Sequence, residues 1–161
     1  MRYLAAPAQT VGVVTPIPEW LTIPLPRTAD ACYELFCDVG RIPEWLTVVR
    51  SAVITRRDRN ERPREVAFLA RLERATVGYT LTYRYRHSER WVCWATPEES
   101  SISVSGFAQF SPLGARSCLM TYSLALDLGD GRLPSWSDPL YEGHAASAAM
   151  TDFRDFVTRA L

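Results

Sequence analysis

The sequence predicts an α+β domain. A curved antiparallel sheet of about seven strands is closed by one long C-terminal helix, with two short helices between the first two strands. Three observations carry this expectation. Between residues 47 and 128, six successive segments place β-branched or aromatic residues at alternating positions. The connections between them are polar or rich in Gly and Pro, and too short for the helical crossovers that parallel strands require. From about residue 138 the period changes from two to that of a helix and stays so to the end.

Taken in order, residues 1–15 read as an N-terminal arm and residues 16–161 as one domain. The segment from Ile17 to Leu25 is an edge-type strand, because Pro18 and Pro24 cannot donate to a central ladder. A helix follows Pro26, with Thr28 or Asp30 as its cap and Ala31, Leu35 and Phe36 as its apolar stripe. Gly40 stops it, and Pro43 sits near the start of a second short turn that runs to Leu46. Strands are expected over 47–57, 64–73, 76–87, 90–96, 102–111 and 117–128. The clearest alternation puts Tyr79, Leu81, Tyr83, Tyr85 and His87 on one face, and Thr80, Thr82, Arg84 and Arg86 on the other. Val66, Phe68, Ala70 and Leu72 share a side in the same way, as do Cys118, Met120, Tyr122, Leu124 and Leu126. Ser137 caps the final helix, Pro139 suits its first turn, and Ala146, Ala149, Met150, Phe153, Val157 and Leu161 form its stripe.

Composition narrows the chemistry. With 161 residues, 47% hydrophobic and 22% charged, the chain is one globular domain, and no apolar run reaches the roughly 20 residues that span a bilayer. The 18 basic and 18 acidic residues cancel, and every basic residue is Arg. Lysine chemistry is therefore excluded: no Schiff base, no P-loop lysine, no lysine general base. Cys32, Cys37, Cys93 and Cys118 include no C-x-x-C pair, and neither His87 nor His144 lies near a cysteine, so no metal is expected. Reduced, buried thiols are the reading for Cys32, Cys93 and Cys118. The N-terminus is too polar and proline-broken for a secretory signal, so a cytoplasmic location is expected. No G-x-S-x-G elbow is present, Gly129-Asp130-Gly131 is a turn signal with no helix directly behind it, and no cofactor is expected.

A sheet of this kind cannot bury its concave face alone, and the last helix is the only long element left to fill it. Here the sequence resembles the START-like (SRPBCC, helix-grip) superfamily, and most of all its polyketide cyclase/dehydrase branch. The resemblance rests on Asp38-Val39-Gly40-Arg41-Ile42-Pro43-Glu44-Trp45, with support from Gly106 leading into a strand and from Ser111-Pro112-Leu113-Gly114 before the strand that contains Thr121. It covers roughly residues 17 to 161. It implies an elongated cavity between helix and sheet that holds a lipid, steroid, polyketide or other hydrophobic ligand; some relatives cyclise or dehydrate polyketides and others only carry or sense a ligand. Fold alone does not decide between them.

The ligand-facing set expected on this basis is Phe68, Tyr79, Tyr83, Tyr85, Met120 and Tyr122 from the strands, Met150 and Phe153 from the last helix, and Trp136 at the mouth. Phenols on an apolar face combine greasy walls with hydrogen-bonding tips; the competing reading is that they pack the core. Trp45 reads as an anchor for the short helix, and of Trp91 and Trp94 only one can face inward. His87 and His144 are the only imidazoles, and both are expected to face solvent; Asp38 is expected to cap a helix or pair with Arg41. No catalytic residue is assigned. Between Arg56 and Arg90 ten arginines face five acids, which either solvates the sheet exterior or attracts an acidic partner. The leading function is binding of a lipid-like or polyketide-like molecule. The rivals are a polyketide cyclase/dehydrase and an interaction module using the Arg face. Partners compatible with this reading are the hydrophobic ligand, an acyl carrier protein or other acidic partner, and a second copy in a homodimer; nucleic acid is not among them.

Overall fold

The computed structural model describes residues 19–72, 75–127 and 139–160. Strand β1 (Glu19–Leu25) leads into α1 (Ala29–Cys37), a 3₁₀ turn (Val39–Arg41) and α2 (Ile42–Trp45). Then come β2 (Val49–Arg57), β3 (Pro63–Leu72), β4 (Ala75–Arg86), β5 (Trp91–Ala95), β6 (Ser103–Gly114) and β7 (Ser117–Asp127), and last α3 (Pro139–Arg159). The seven strands form one sheet in the order β1-β7-β6-β5-β4-β3-β2, antiparallel throughout. β1 is an edge, as its prolines require, and Pro24 faces Leu119 on its single neighbour. Register shifts interrupt β2 at Val49/Ser51 and Ile54/Arg56 and β6 at Pro112/Gly114; such bulges bend a strand and deepen the curve of a sheet.

The alternation read from sequence sets the buried face. Val66, Phe68 and Ala70 of β3, Leu81 and Tyr83 of β4, Val92 and Trp94 of β5 and Cys118, Met120 and Tyr122 of β7 are buried, while Arg84 and Arg86 are exposed. Trp91 lies on the opposite face from Trp94 and holds the Arg86 guanidinium 4.8 Å above its ring. All three helices cover the buried face: α1 packs on β6 and β7, α2 on β2, and α3 on β1, β7 and α2. Phe36 of α1 is the hub, with ring centroids 5.7 Å from Trp45, Trp94 and Phe110 and 5.3 Å from Phe153. Gly106 of β6 is required by close approach: a Cβ there would meet the Ser123 carbonyl oxygen and lie 2.8 Å from the Trp94 indole.

Two local expectations about α1 are corrected. Thr28 does cap α1, its hydroxyl accepting from the Ala31 N–H at 3.2 Å. The helix ends at Cys37, however, with Asp38 as its C-cap, so Gly40 falls inside the following 3₁₀ turn and stops nothing. The buried stripe of α1 is Ala29, Cys32, Tyr33, Phe36 and Cys37. Phe36 belongs to it as expected, while Ala31 and Leu35 are only half-buried, Leu35 packing at the edge of the core. Of the two roles expected for Asp38, it takes the cap position of α1, and Arg41 pairs with Glu44 at 3.0 Å, one helical turn on.

Candidate ligand cavity

The described side chains of α3 change in size from Ala146 onward. Ala146 and Ala149 face the sheet from the first half, and Phe153, Phe156 and Val157 from the second, all buried. Below the large residues the interior is filled. Below Ala149 it is not: a cavity of about 160 Å³ lies between the helices and the concave face. Phe68, Tyr79, Leu81, Tyr83, Trp94 and Tyr122 form its sheet wall, with Ile102, Val104, Leu124 and Leu126 extending it. Phe36, Ile42, Trp45, Leu46 and Val48 close it from the side of α1 and α2.

Among the described residues, no charged side chain lines this space. The polar side-chain atoms of its described walls belong to the phenols Tyr79, Tyr83 and Tyr122 and the indoles Trp45 and Trp94. The Trp45 Nε1–H is buried with no hydrogen-bond acceptor, which is an unfavourable state that an oxygen on a guest would relieve. Burial, reinforced by the neighbouring phenols, holds the Tyr83 hydroxyl well above the ordinary phenol range; burial does the same to Tyr122 and pushes Tyr79 up to about 12. All three therefore stay protonated at neutral pH and act as donors. A space of this kind is suited to apolar burial and to orienting oxygen acceptors.

Of the residues expected to face a ligand, Phe68, Tyr79, Tyr83 and Tyr122 line the cavity. Four others lie elsewhere. Tyr85 is on the same strand face but one step nearer the sheet end, where its hydroxyl donates to the Pro63 carbonyl and its ring stacks on His87. Met120 is buried in the filled half, paired with Ile23 and Phe110. Phe153 is buried against Trp45, with centroids 5.0 Å apart, and Met150 is buried beside Ala149 without reaching the cavity wall. Trp136 lies outside the described residues, and so does the side chain of His144. His87 is exposed, yet its Nδ1 shares a 2.7 Å hydrogen bond with the Tyr33 hydroxyl. Trp45 anchors α2 against α3 and is also a wall. In the arginine-rich hairpins, Arg56, Arg62, Arg86 and Arg90 are ion-paired with Glu65, Glu34, Glu89 and Asp30.

A single curved antiparallel sheet gripping a long C-terminal helix over an apolar cavity is the START-like helix-grip fold. Solved structures share it. A START superfamily protein from Mycobacterium smegmatis is 14% identical over 89% of this chain and 99% of its own, with a TM-score of 0.79. The Zhui aromatase/cyclase from Streptomyces sp. R1128 is 13% identical over 89% of this chain and 94% of its own, at 0.72. Human STARD10 is 14% identical over 88% of this chain and 63% of its own, at 0.67. No family model matches the sequence, and no curated protein does either. Among the described residues, no helix is long and apolar enough to cross a membrane.

Proposed function

We propose that this protein binds a small hydrophobic molecule carrying one or two oxygen acceptors, held between the sheet and α3. One observation carries the reading: an apolar cavity whose described walls offer, as polar side-chain atoms, protonated phenols and the indole N–H groups of Trp45 and Trp94, that of Trp45 being buried without a partner. Apolar burial supplies the affinity, and Tyr79, Tyr83, Tyr122 and Trp45 supply the orientation. The volume limits the guest. A cavity of about 160 Å³ is close to the roughly 150 Å³ that admits benzene in an engineered core. A single ring or short branched chain fits as the walls stand, and a longer lipid or polyketide requires α3 or α2 to move. Titration with one-ring ketones and phenols, followed by tryptophan fluorescence and calorimetry, tests the proposal; mass spectrometry of material that co-purifies supplies the natural guest. Saturable binding is expected, and a protein that takes up none of these compounds defeats the reading.

A second reading has its own support. Phenol donors fixed in a water-poor site can polarise a carbonyl as negative charge develops on its oxygen, and one structural neighbour is an aromatase/cyclase. On this reading the chain folds a poly-β-ketone, delivered by an acyl carrier protein, and closes a ring. It demands a cavity several times larger in the bound state than in this one. Product formation from a carrier-bound poly-β-ketone, with loss on Tyr83→Phe, would place it ahead of simple carriage.

A further inference from the structure

The two faces of the sheet differ in what covers them. All three helices lie on the concave side, and among the described residues the convex side carries no helix. Strand register aligns the outward side chains into rows that cross the sheet. One row is Trp20 of β1, Ser123 of β7, Phe107 of β6, Cys93 of β5 and Arg84 of β4. The next, in the same strand order, is Thr22, Thr121, Gln109, Trp91 and Arg86. Four strand spacings of about 4.8 Å make each row roughly 19 Å long.

This surface is aromatic at one end and cationic at the other. Trp20 is 71% exposed, and its ring makes a T-shaped contact with Phe107 at 5.2 Å, across the buried Ser123. Phe107 lies 6.4 Å from Trp91, whose ring carries the Arg86 guanidinium at 4.8 Å. Arg84 and Arg86 are both exposed. Neither row contains a carboxylate. Among the described residues Arg84 has no ion pair, and Arg86 has only the exposed Glu89 at 3.8 Å. In the row beyond, Glu65 faces Thr82 and is held by Arg56 at 2.7 Å. Trp and Arg are the residue types that most often anchor a protein partner, and the counter-charge missing here is that of an acidic one. A single strand of nucleic acid fits less well. Arg86 occupies the Trp91 ring on which a base would stack, Phe107 is packed against both tryptophans, and 18 basic against 18 acidic residues give the chain no overall cationic field.

We propose that the convex face of β1, β7, β6, β5 and β4 docks an acidic segment of a partner protein, with its carboxylates on Arg84 and Arg86 and an apolar or aromatic side chain against Trp20 and Phe107. The surface uses no residue of the apolar cavity and holds whether or not that cavity is filled. The test is fluorescence anisotropy of labelled poly(Glu,Tyr), poly-Glu, poly-Lys and oligo(dT), each titrated with the full chain at low ionic strength. Saturable binding of poly(Glu,Tyr) is expected, tighter than that of poly-Glu and weakened by added salt, with none of poly-Lys. Joint Arg84→Glu and Arg86→Glu substitution is expected to weaken it about tenfold or more. Trp20→Ala is expected to weaken it about tenfold and to erase the preference over poly-Glu. Thermal melts check that the variants fold, and should one of them fail, the other decides the matter. The proposal is overturned if poly(Glu,Tyr) does not bind the unaltered chain, if poly-Glu or poly-Lys binds as tightly, or if the folded variants bind unchanged. Tighter binding of oligo(dT) overturns it too, and marks a nucleic-acid surface instead.

Discussion

Around Phe153 of α3 the interior is solid, and beside Ala149 it is hollow, although one helix and one sheet build both. In the solid half, Phe153 fits among Phe36, Trp45 and Phe110, with centroid distances of 5.3, 5.0 and 6.1 Å, and is fully buried. In the hollow half, Ala149 stands opposite Tyr83 and Tyr122 and leaves the intervening space open. Side chains fill the one, and a cavity of about 160 Å³ remains in the other, where an ordinary core leaves few voids. On the proposed function, the difference assigns stability and ligand binding to different residues of the same helix, four positions apart.

The largest expected effect breaks the solid half. Phe153→Ala removes a ring that touches α1, α2 and the sheet, and is expected to lower unfolding free energy by about 3–5 kcal/mol in urea denaturation. Tyr83→Phe, which alters only a cavity-facing hydroxyl, is expected to change it by less than about 1 kcal/mol. Equal losses in the two variants would mean that the halves are not energetically distinct.

Filling the hollow half is the next test. Ala149→Leu adds three carbons above a cavity of about 160 Å³, enough to exclude a single-ring guest. Binding of acetophenone is expected to fall at least tenfold by calorimetry. Thermal stability should hold or rise, because a filled void regains contacts and buries apolar surface. A variant that binds normally would place the guest elsewhere.

What the sequence made legible follows the same division. Alternation in 79–87 and 118–128 put Tyr79, Tyr83 and Tyr122 on the concave face, and Leu124 and Leu126, which belong to the same alternation, could have been added to the wall on that signal. Tyr85 shares the pattern but not the place, since only the β3–β4 register reveals that Pro63 captures its hydroxyl. Met120 and Phe153 meet every criterion of an inward residue. That they fill the interior and do not line a void depends on which helix residue stands opposite. The contributions of Phe36, Ile42 and Trp45 had no local signal as cavity walls, because they depend on how α1 and α2 dock across the sheet. The alignment of Trp20, Phe107 and Arg84 in one outer row is likewise a matter of register, beyond the reach of a period-two pattern.

Alkaline pH separates the halves by a smaller margin. Below pH 10 a phenol keeps its proton in folded and unfolded chains alike, so Tyr79 contributes no pH dependence. Above pH 10 the unfolded chain ionises first, while burial holds the folded group to about 12, so stability falls with pH across that window. Thermal melts from pH 9 to 12 are expected to decline, and Tyr79→Phe should soften the decline. A slope identical in the variant would assign the effect to other buried groups, of which Cys37, also pushed up to about 12, is the first to examine.

The smallest expected effect concerns orientation within the hollow half. Acetophenone and isopropylbenzene have the same number of heavy atoms and nearly the same shape, and differ by one carbonyl oxygen. If the phenols orient an acceptor, Tyr83→Phe should weaken acetophenone binding about threefold, the equivalent of one net hydrogen bond of roughly 0.5–1 kcal/mol, and leave isopropylbenzene unchanged. An equal loss for both would show that Tyr83 acts through packing, as Phe153 does in the solid half. The contrast matters because a site that recognises oxygen within an apolar enclosure selects among hydrophobic molecules, whereas a merely greasy void accepts any that fit.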